Sequence, residues 1–174
     1  MLRRDTLVIF PVAFLAGTSA VAQSPTRLSL SISYPPTIAA VWHLGPQVAV
    51  RPDLTYSRFA FDGGGRPSST GSTLEAGVST LHVFSDTDSV DVYLAPRVGY
   101  SSRRADGNPI GHTFAYSVSL GARAAIRRRL EAFGEIGVEH VRATITQYIF
   151  GDPFDTYRRD WRARSSVGLL LHLR

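Results

Sequence analysis

The sequence predicts an all-β fold, namely one closed barrel of eight antiparallel strands in up-and-down order. Apolar residues alternate with polar or small residues in one segment after another, as in FAYSVSLGARAAI at 114–126. No segment after residue 23 sustains the 3.6-residue period of a helix. The connections alternate strictly between short and long, which is typical of an up-and-down barrel.

The first 22 residues are predicted to be a signal peptide that precedes the barrel. The basic start MLRR is followed by an apolar run at 6–17, and Ala20-Val21-Ala22 forms a small-x-small cleavage site. The run contains Pro11 and is too short to span a bilayer comfortably. We therefore expect a signal peptide at 1–22 and a barrel domain at 23–174.

The first two predicted strands lie on either side of YPPT at 34–37. Two prolines remove two ladder donors, so this stretch favours a turn over the middle of one long strand. With this turn the strand count is even, at eight. The predicted strands are 28–34, 38–44, 48–57, 72–84, 90–101, 114–126, 130–145 and 157–171.

Two of these strands change phase along their length. The apolar face of 72–84 shifts near Thr80, which predicts a β-bulge there. A similar slip is predicted after Glu139, beyond which Val141, Ala143 and Ile145 take over the apolar side.

The connections fall into two classes. Short turns are predicted at 45–47, at 85–89 and near Arg128 and Arg129. Longer loops rich in Gly, Pro and Asp are predicted at 62–71, 103–111 and 151–155. All short turns then lie at one end of the barrel and all long loops at the other.

The polar face of the strands carries charges of both signs among Gly, Ser and Ala residues. Turning one Arg toward lipid at the midplane costs roughly 2–4 kcal/mol, so this face is predicted to line the barrel, where small residues leave room and carboxylates neutralise Arg. The predicted interior charge network consists of Arg51, Asp53, Glu75, Asp91, Arg97, Arg123, Glu131, Glu135, Glu139, Arg158, Asp160, Arg162 and Arg164.

Aromatic residues of the apolar face lie near the strand ends, whereas Val, Leu, Ala and Ile occupy the middle. Two aromatic girdles at the two interfaces are what a bilayer selects, so the apolar face is predicted to meet lipid. The predicted girdle residues are Tyr34, Trp42, Tyr56, Tyr100, Phe114, Tyr116, Tyr157 and Trp161.

Composition argues against a disulfide-stabilised protein, a soluble β-protein and a nucleic-acid-binding protein. The sequence has no Cys, so no disulfide stabilises it, and its basic residues are all Arg. Soluble β-proteins usually keep Lys on their surface and edge strands. The net charge is only +5 and the Arg residues are dispersed, which argues against binding to nucleic acid.

Signal peptide, alternating strands, short turns and long polar loops together resemble the small, porin-like outer-membrane β-barrels of the OmpX and OmpA transmembrane-domain type. The resemblance covers roughly residues 27–174 and is one of architecture. It implies an exported protein of the bacterial outer membrane. Such barrels usually end in an aromatic residue, whereas GLLLHLR ends in Arg174 while Leu169, Leu171 and Leu173 keep the alternation.

No catalytic, cofactor or metal site is predicted. Glu139 and His140 are neighbours on a strand and point to opposite faces, and no carboxylate is placed to orient His112. His43 and His172 lie near the end of the barrel with the predicted short turns, where single His residues are usually ordinary interface residues. Paired Asp residues at 86 and 88 and at 152 and 155 are typical turn formers. The glycines of 63–71 lack the Lys and helix of a phosphate loop.

The preferred interpretation is an integral outer-membrane barrel with a structural or surface-interaction role, a lumen plugged by charges, and no catalysis. Its expected partners are outer-membrane lipid and an extracellular partner bound through the long loops. One alternative is a soluble periplasmic or secreted eight-stranded barrel that binds a small apolar ligand. A lipid-modifying outer-membrane barrel enzyme is the third interpretation. The sequence does not indicate an oligomeric state.

Overall fold

The computed structural model describes residues 27–61, 69–86, 90–105, 108–149 and 152–173. The predicted signal peptide and Arg174 lie outside the described residues. Eight strands follow one another: β1 Arg27–Tyr34, β2 Thr37–His43, β3 Val48–Phe61, β4 Ser69–Asp86, β5 Val90–Ala105, β6 Asn108–Arg127, β7 Leu130–Ile149 and β8 Asp152–His172. Each strand pairs antiparallel with the next, and β8 pairs with β1, so the sheet closes into a barrel. No helix of a length and hydropathy that could cross a membrane occurs among the described residues.

The eight-stranded up-and-down prediction is confirmed, including the turn between β1 and β2. Tyr34 ends β1 and Thr37 begins β2, with Pro35 and Pro36 between them and a cis peptide bond between Tyr34 and Pro35. We call the end with the three short turns the turn end. The opposite end, which carries the turn between β1 and β2 and three β-hairpins, is the hairpin end.

The pairing register fixes the tilt of the strands. Ile32 of β1 can be followed to its paired residue on β2, from there to the paired residue on β3, and so on around the barrel. This path ends at Arg159 of β8. Ile32 itself pairs with Leu169, ten residues further along β8. For eight strands about 4.8 Å apart, this stagger gives a tilt of about 41° and a backbone radius of about 8 Å. Each residue then advances about 2.5 Å along the barrel axis, and each step to the next strand about 3 Å.

The predicted long loops are mostly strand, which corrects the prediction. Residues 103–105 and 108–111 belong to β5 and β6, and 152–155 belong to β8. Their Gly, Pro and Asp residues are accommodated in paired ladders, with a register shift near Arg104 opposite Pro109. Part of the first predicted loop, 62–68, lies outside the described residues. The hairpin end therefore carries tall β-hairpins where long loops were predicted.

Both predicted phase changes are also wrong in position or in kind. The register of β4 shifts at Phe84, between Val83 and Ser85, and is the same before and after Thr80. The register of β7 shows no shift at Glu139, so Val141 stays on the inner face and is buried. The apolar residues that suggested a slip face inward because the lumen itself is partly apolar.

An apolar layer lies inside the barrel near the turn end. Its buried members come from six strands and pack together across the full width of the barrel. We call this layer the floor; it consists of Val41, Ala49, Leu81, Tyr93, Ala95, Phe133 and Leu170, with the half-buried Val83 against it. A void beside it holds about 10 Å³, which is about enough for one water molecule. Charged side chains lie on both sides of the floor.

Candidate functional site

An ion pair beside the floor joins Arg51 of β3 to Glu135 of β7. Arg51 Nη1 donates to Glu135 Oε1 at 2.5 Å and Nη2 donates to Oε2 at 3.1 Å, a bidentate arrangement. Glu135 also accepts from the Tyr93 hydroxyl at 3.0 Å and from Ser166 at 3.3 Å, while Arg51 Nε donates to Ser79 at 3.0 Å. Five strands are thereby joined across the lumen through one ion pair.

A second cluster surrounds Arg97 of β5. Its Nε and Nη2 donate to the two carboxylate oxygens of Asp53 at 2.9 and 2.6 Å, and Nη2 also donates to Glu75 at 2.7 Å. Gly77 and Gly99 lie beside the guanidinium, where a Cβ at either position would collide with it. The small residues that alternate with charges on the inner face therefore provide the space that Arg97 occupies.

Glu139 joins β7 to the last strand. It accepts from Arg162 Nε at 2.5 Å and from Arg164 Nη1 at 3.2 Å, and its own side chain is only 2% exposed. The Arg162 side chain, in contrast, is 56% exposed. We call the charged residues on the hairpin side of the floor the central ion cluster: Arg51, Asp53, Glu75, Arg97, Glu135, Glu139, Arg162 and Arg164.

A cavity of about 400 Å³ lies among these charges, on the hairpin side of the floor. Arg51, Glu135, Glu139, Arg162 and Arg164 contribute to its lining, together with Ser and Thr hydroxyls of β1, β2 and β3. The cavity is polar, and its ionic groups are already paired with one another.

A separate polar cluster lies on the turn side of the floor. Arg123 donates to Asp91 at 2.7 Å and lies 3.6 Å from Glu131. His172 Nε2 lies 2.8 Å from Glu131 Oε1, and its Nδ1 lies 2.9 Å from the Ser29 hydroxyl. This Ser–His–Glu chain was not anticipated from sequence, because 143 positions separate Ser29 from His172 and only barrel closure brings them together.

The chain of Ser29, His172 and Glu131 has the connectivity of a nucleophile, a base and an orienting carboxylate. A nucleophile must also reach a substrate, but Ser29 is 0% exposed. Neither the cavity among the central charges nor the void beside the floor includes Ser29 in its lining. This geometry ties the first strand to the seventh and eighth. No cluster of metal-ligating side chains occurs in the described part of the chain either.

The remaining two predicted network residues lie at the rim. Arg158 and Asp160 of β8 form an ion pair, but their side chains are 68% and 41% exposed. They lie on the same face of β8 as Arg162 and Arg164, which is the inner face. They are beyond the cavity, where β8 projects from the barrel. The structure thus places the thirteen predicted charges in three groups: the central ion cluster, the turn-end trio of Asp91, Arg123 and Glu131, and this exposed rim pair.

The outer surface carries a continuous band of exposed apolar side chains. Ile136, Val138 and Leu120 are among its exposed members, and all lie between the two ends of the barrel. Trp42 near the turn end and Trp161 toward the hairpin end both face outward and are separated by about 24 Å along the axis. This spacing matches the roughly 25 Å apolar band of a membrane barrel.

The predicted girdle residues lie at different heights. Tyr56, Tyr100, Phe114, Tyr116 and Trp161 are exposed on the outer face and fall within about 6 Å of one another along the axis. Tyr34 lies about 10 Å nearer the midplane than Phe114, because β1 ends early. Tyr157 lies about 10 Å beyond Trp161, on the projecting hairpin of β7 and β8.

Solved structures of similar fold exist for outer-membrane proteins. A major outer membrane protein from Thermus thermophilus matches with a TM-score of 0.55 at 12% identity, over 86% of this chain and 100% of that chain. Neisserial surface protein A matches with a TM-score of 0.53 at 15% identity, over 84% of this chain and 92% of that chain. No family model and no curated protein sequence matches. The chain therefore has the fold of small outer-membrane β-barrels, as the resemblance implied.

Proposed function

We propose that this chain is an integral protein of the bacterial outer membrane with a structural or surface-interaction role. One observation carries the proposal: polarity is inverted relative to a soluble barrel. Paired charges such as Arg51 and Glu135 are buried in the lumen, whereas Ile136 is 68% exposed at mid-height on the outside. An apolar outer band of this height is favourable only in hydrocarbon. A soluble barrel that binds a ligand in an apolar lumen does not fit this distribution.

The lumen is proposed to be closed rather than conducting. The floor fills the cross-section near the turn end, and an eight-stranded barrel leaves room for little more than its own side chains. Proteoliposomes of the folded protein are therefore expected to exclude small sugars in a swelling assay. Swelling comparable to that of a general porin would contradict the closed lumen.

The hairpin end is the proposed surface for an extracellular partner. The hairpin of β7 and β8 projects about 20 Å beyond Trp161, well past the membrane interface. Tyr157 on its outer face and Phe154 on its inner face are both exposed, at 77% and 56%. Aromatic side chains on a projecting element are the kind of anchor that protein partners use.

The membrane location can be tested with the two tryptophans, which are the only ones in the sequence. Trp42→Phe leaves Trp161 as the single fluorescent reporter, and Trp161→Phe leaves Trp42. The two reporters lie at opposite sides of the apolar band. In vesicles, brominated lipids are expected to quench both, more strongly with bromine near the headgroup than at the chain end. A heat-dependent shift in gel mobility checks that each variant is folded. A folded protein in which neither reporter is quenched would contradict the proposal.

Absence of catalysis is also part of the proposal and needs its own test. Phospholipid and lipid A incubated with the folded protein are expected to keep their masses. Ser29→Ala and His172→Ala, which break the buried chain, serve as matched variants. A mass change that disappears in both variants while folding is retained would show that Ser29 is reached after all and would restore the enzyme interpretation.

A further inference from the structure

The barrel wall has a gap between β3 and β8. β1 and β2 end at the Pro35–Pro36 turn, where the last pairs are Tyr34 with Val167 and Thr37 with Thr55. β3 continues through 56–61 and β8 occupies 152–166 without a neighbouring strand on this side. Among the described residues, no Cα atom of β3 lies within 8 Å of a Cα atom of β8. The wall is thus open above the short β1–β2 hairpin.

The gap begins inside the apolar band. The Pro35–Pro36 turn lies roughly 10 Å below Trp161 along the axis, and Phe114 lies at nearly the same height as Trp161. The strand edges that border the lower part of the gap, at 56–58 and 162–166, are therefore at membrane depth. Backbone edges at this depth are tolerated only where they line a polar or water-filled space. The gap is accordingly a place where water and hydrocarbon lie side by side.

Two cavities meet at this gap. The polar cavity of the lumen reaches it from inside, past Arg162 and Arg164. A groove of about 600 Å³ approaches it along the outer surface and is mostly apolar. The groove exists because small residues interrupt the outer band; its lining includes Tyr34, Val92, Leu120, Ala122, Gly134, Ile136 and Val167. Pro35, Glu135, Ser165 and Ser166 line both cavities, so the two lie against the same stretch of the wall at the edge of the gap.

The inner side of the gap carries two guanidinium groups that share one carboxylate. Arg162 binds Glu139 through Nε and Nη2, which leaves Nη1 without a hydrogen-bond partner among the described residues, and its side chain is more than half exposed. Arg164 contacts the same carboxylate through Nη1. Guanidinium groups bind carboxylates and phosphates through several donors at once.

We propose that the gap is a lateral binding site for a single-chain amphiphile with an anionic head. The carboxylate or phosphate contacts Arg162 and Arg164 on the lumen side, and the acyl chain leaves through the gap past Ser165 and lies in the outer groove. The inference rests on the proposed membrane location, because only there is the groove covered by hydrocarbon. The floor keeps the site separate from the turn end.

The test uses photoactivatable lipids on the full chain in phosphatidylcholine vesicles. Diazirine-labelled palmitic acid and a diazirine-labelled lysophosphatidic acid distinguish a fatty-acid carboxylate from a lipid phosphate. Diazirine-labelled hexadecanol is the neutral control. After illumination, peptide mass spectrometry maps the labelled residues. Labelling is expected to concentrate on Tyr34, Gly134, Ile136 and Val167 with one or both anionic probes. Equal labelling around the whole barrel would overturn the site.

Matched variants test the contacts of the anionic head separately from those of the acyl chain. Arg162→Gln with Arg164→Gln is expected to weaken labelling by the anionic probes about tenfold, the effect of losing one charge-assisted hydrogen bond, and to leave hexadecanol unchanged. Ser165→Trp is expected to block the groove for every probe, whereas Ala76→Trp on the opposite outer face is not. Unchanged labelling in Ser165→Trp, or an equal loss in Ala76→Trp, would contradict the proposal. A heat-dependent gel shift shows that each variant is still a folded barrel. A loss of labelling in a folded variant then concerns the lateral site and not the proposed membrane location.

Discussion

Glu135 offers a sharp test of whether the central ion cluster stabilises the barrel. Glu135→Gln preserves shape but removes the charge that neutralises Arg51, and the new side-chain amide presents an N–H donor where a carboxylate oxygen accepted. The side chains of Arg51 and Glu135 are 11% and 4% exposed, so the remaining guanidinium stays largely buried. Breaking a buried pair from one side costs about 3–5 kcal/mol. Because the 400 Å³ cavity lets water approach, the lower end, about 3 kcal/mol, is expected.

The control is an acid-to-amide change in the rim pair. Asp160→Asn removes the partner of Arg158, but both side chains are exposed, so the free energy of unfolding is expected to fall by less than about 1 kcal/mol. Urea unfolding in vesicles, followed by tryptophan fluorescence, measures both variants. Losses equal to within about 0.5 kcal/mol would refute the reasoning that burial decides the strength of these pairs. Arg51→Met combined with Glu135→Leu is expected to recover at least half of the loss, because no buried charge then lacks a partner.

Two further substitutions test the outer band and the packing of Arg97. Ile136→Arg places a charge at mid-height on the outer face and is expected to cost about 2–4 kcal/mol in vesicles, whereas Phe154→Arg on the projecting hairpin is expected to cost less than about 1 kcal/mol. Equal costs in urea unfolding would argue against the lipid-facing assignment. Gly77→Ala is expected to lower stability by about 1–3 kcal/mol, because its Cβ meets the guanidinium, while Gly45→Ala, which has open space, is the control. A Gly77→Ala barrel as stable as the Gly45→Ala barrel would mean that Arg97 can move aside.

The strands and their two faces could be predicted because the alternation is local information. A period of two assigns inner and outer sides to each strand regardless of its neighbours, and Arg123 or Ile136 follows this rule. The error came from assuming that every inward residue is polar. Leu81 and Val141 face inward, and each was therefore interpreted as a change of phase.

The partners within the lumen could not be predicted, because they depend on register and stagger. Arg51 and Glu135 are 84 positions apart and meet only after the sheet closes. The same holds for Ser29 and His172 across the seam between β1 and β8. The gap in the wall was missed for a related reason, because it depends on how far β3 and β8 extend beyond the ends of β1 and β2. The turn-like composition of the extended parts of the strands suggested loops there.

The seam between β1 and β8 also sets the order in which the molecule can be completed. It joins the first strand to the last over a short ladder from Ser29 to Tyr34. Its contacts have the greatest sequence separation in the sheet, so the loop-closure entropy they require is large, and such contacts form slowly and late. Until β8 arrives, the growing sheet presents two bare edges, a template for association with other chains. Pairing of β8 with β1 is then the step that closes the barrel and covers these two edges along the seam. The Ser29–His172–Glu131 contacts form in the same step and stabilise the closed barrel.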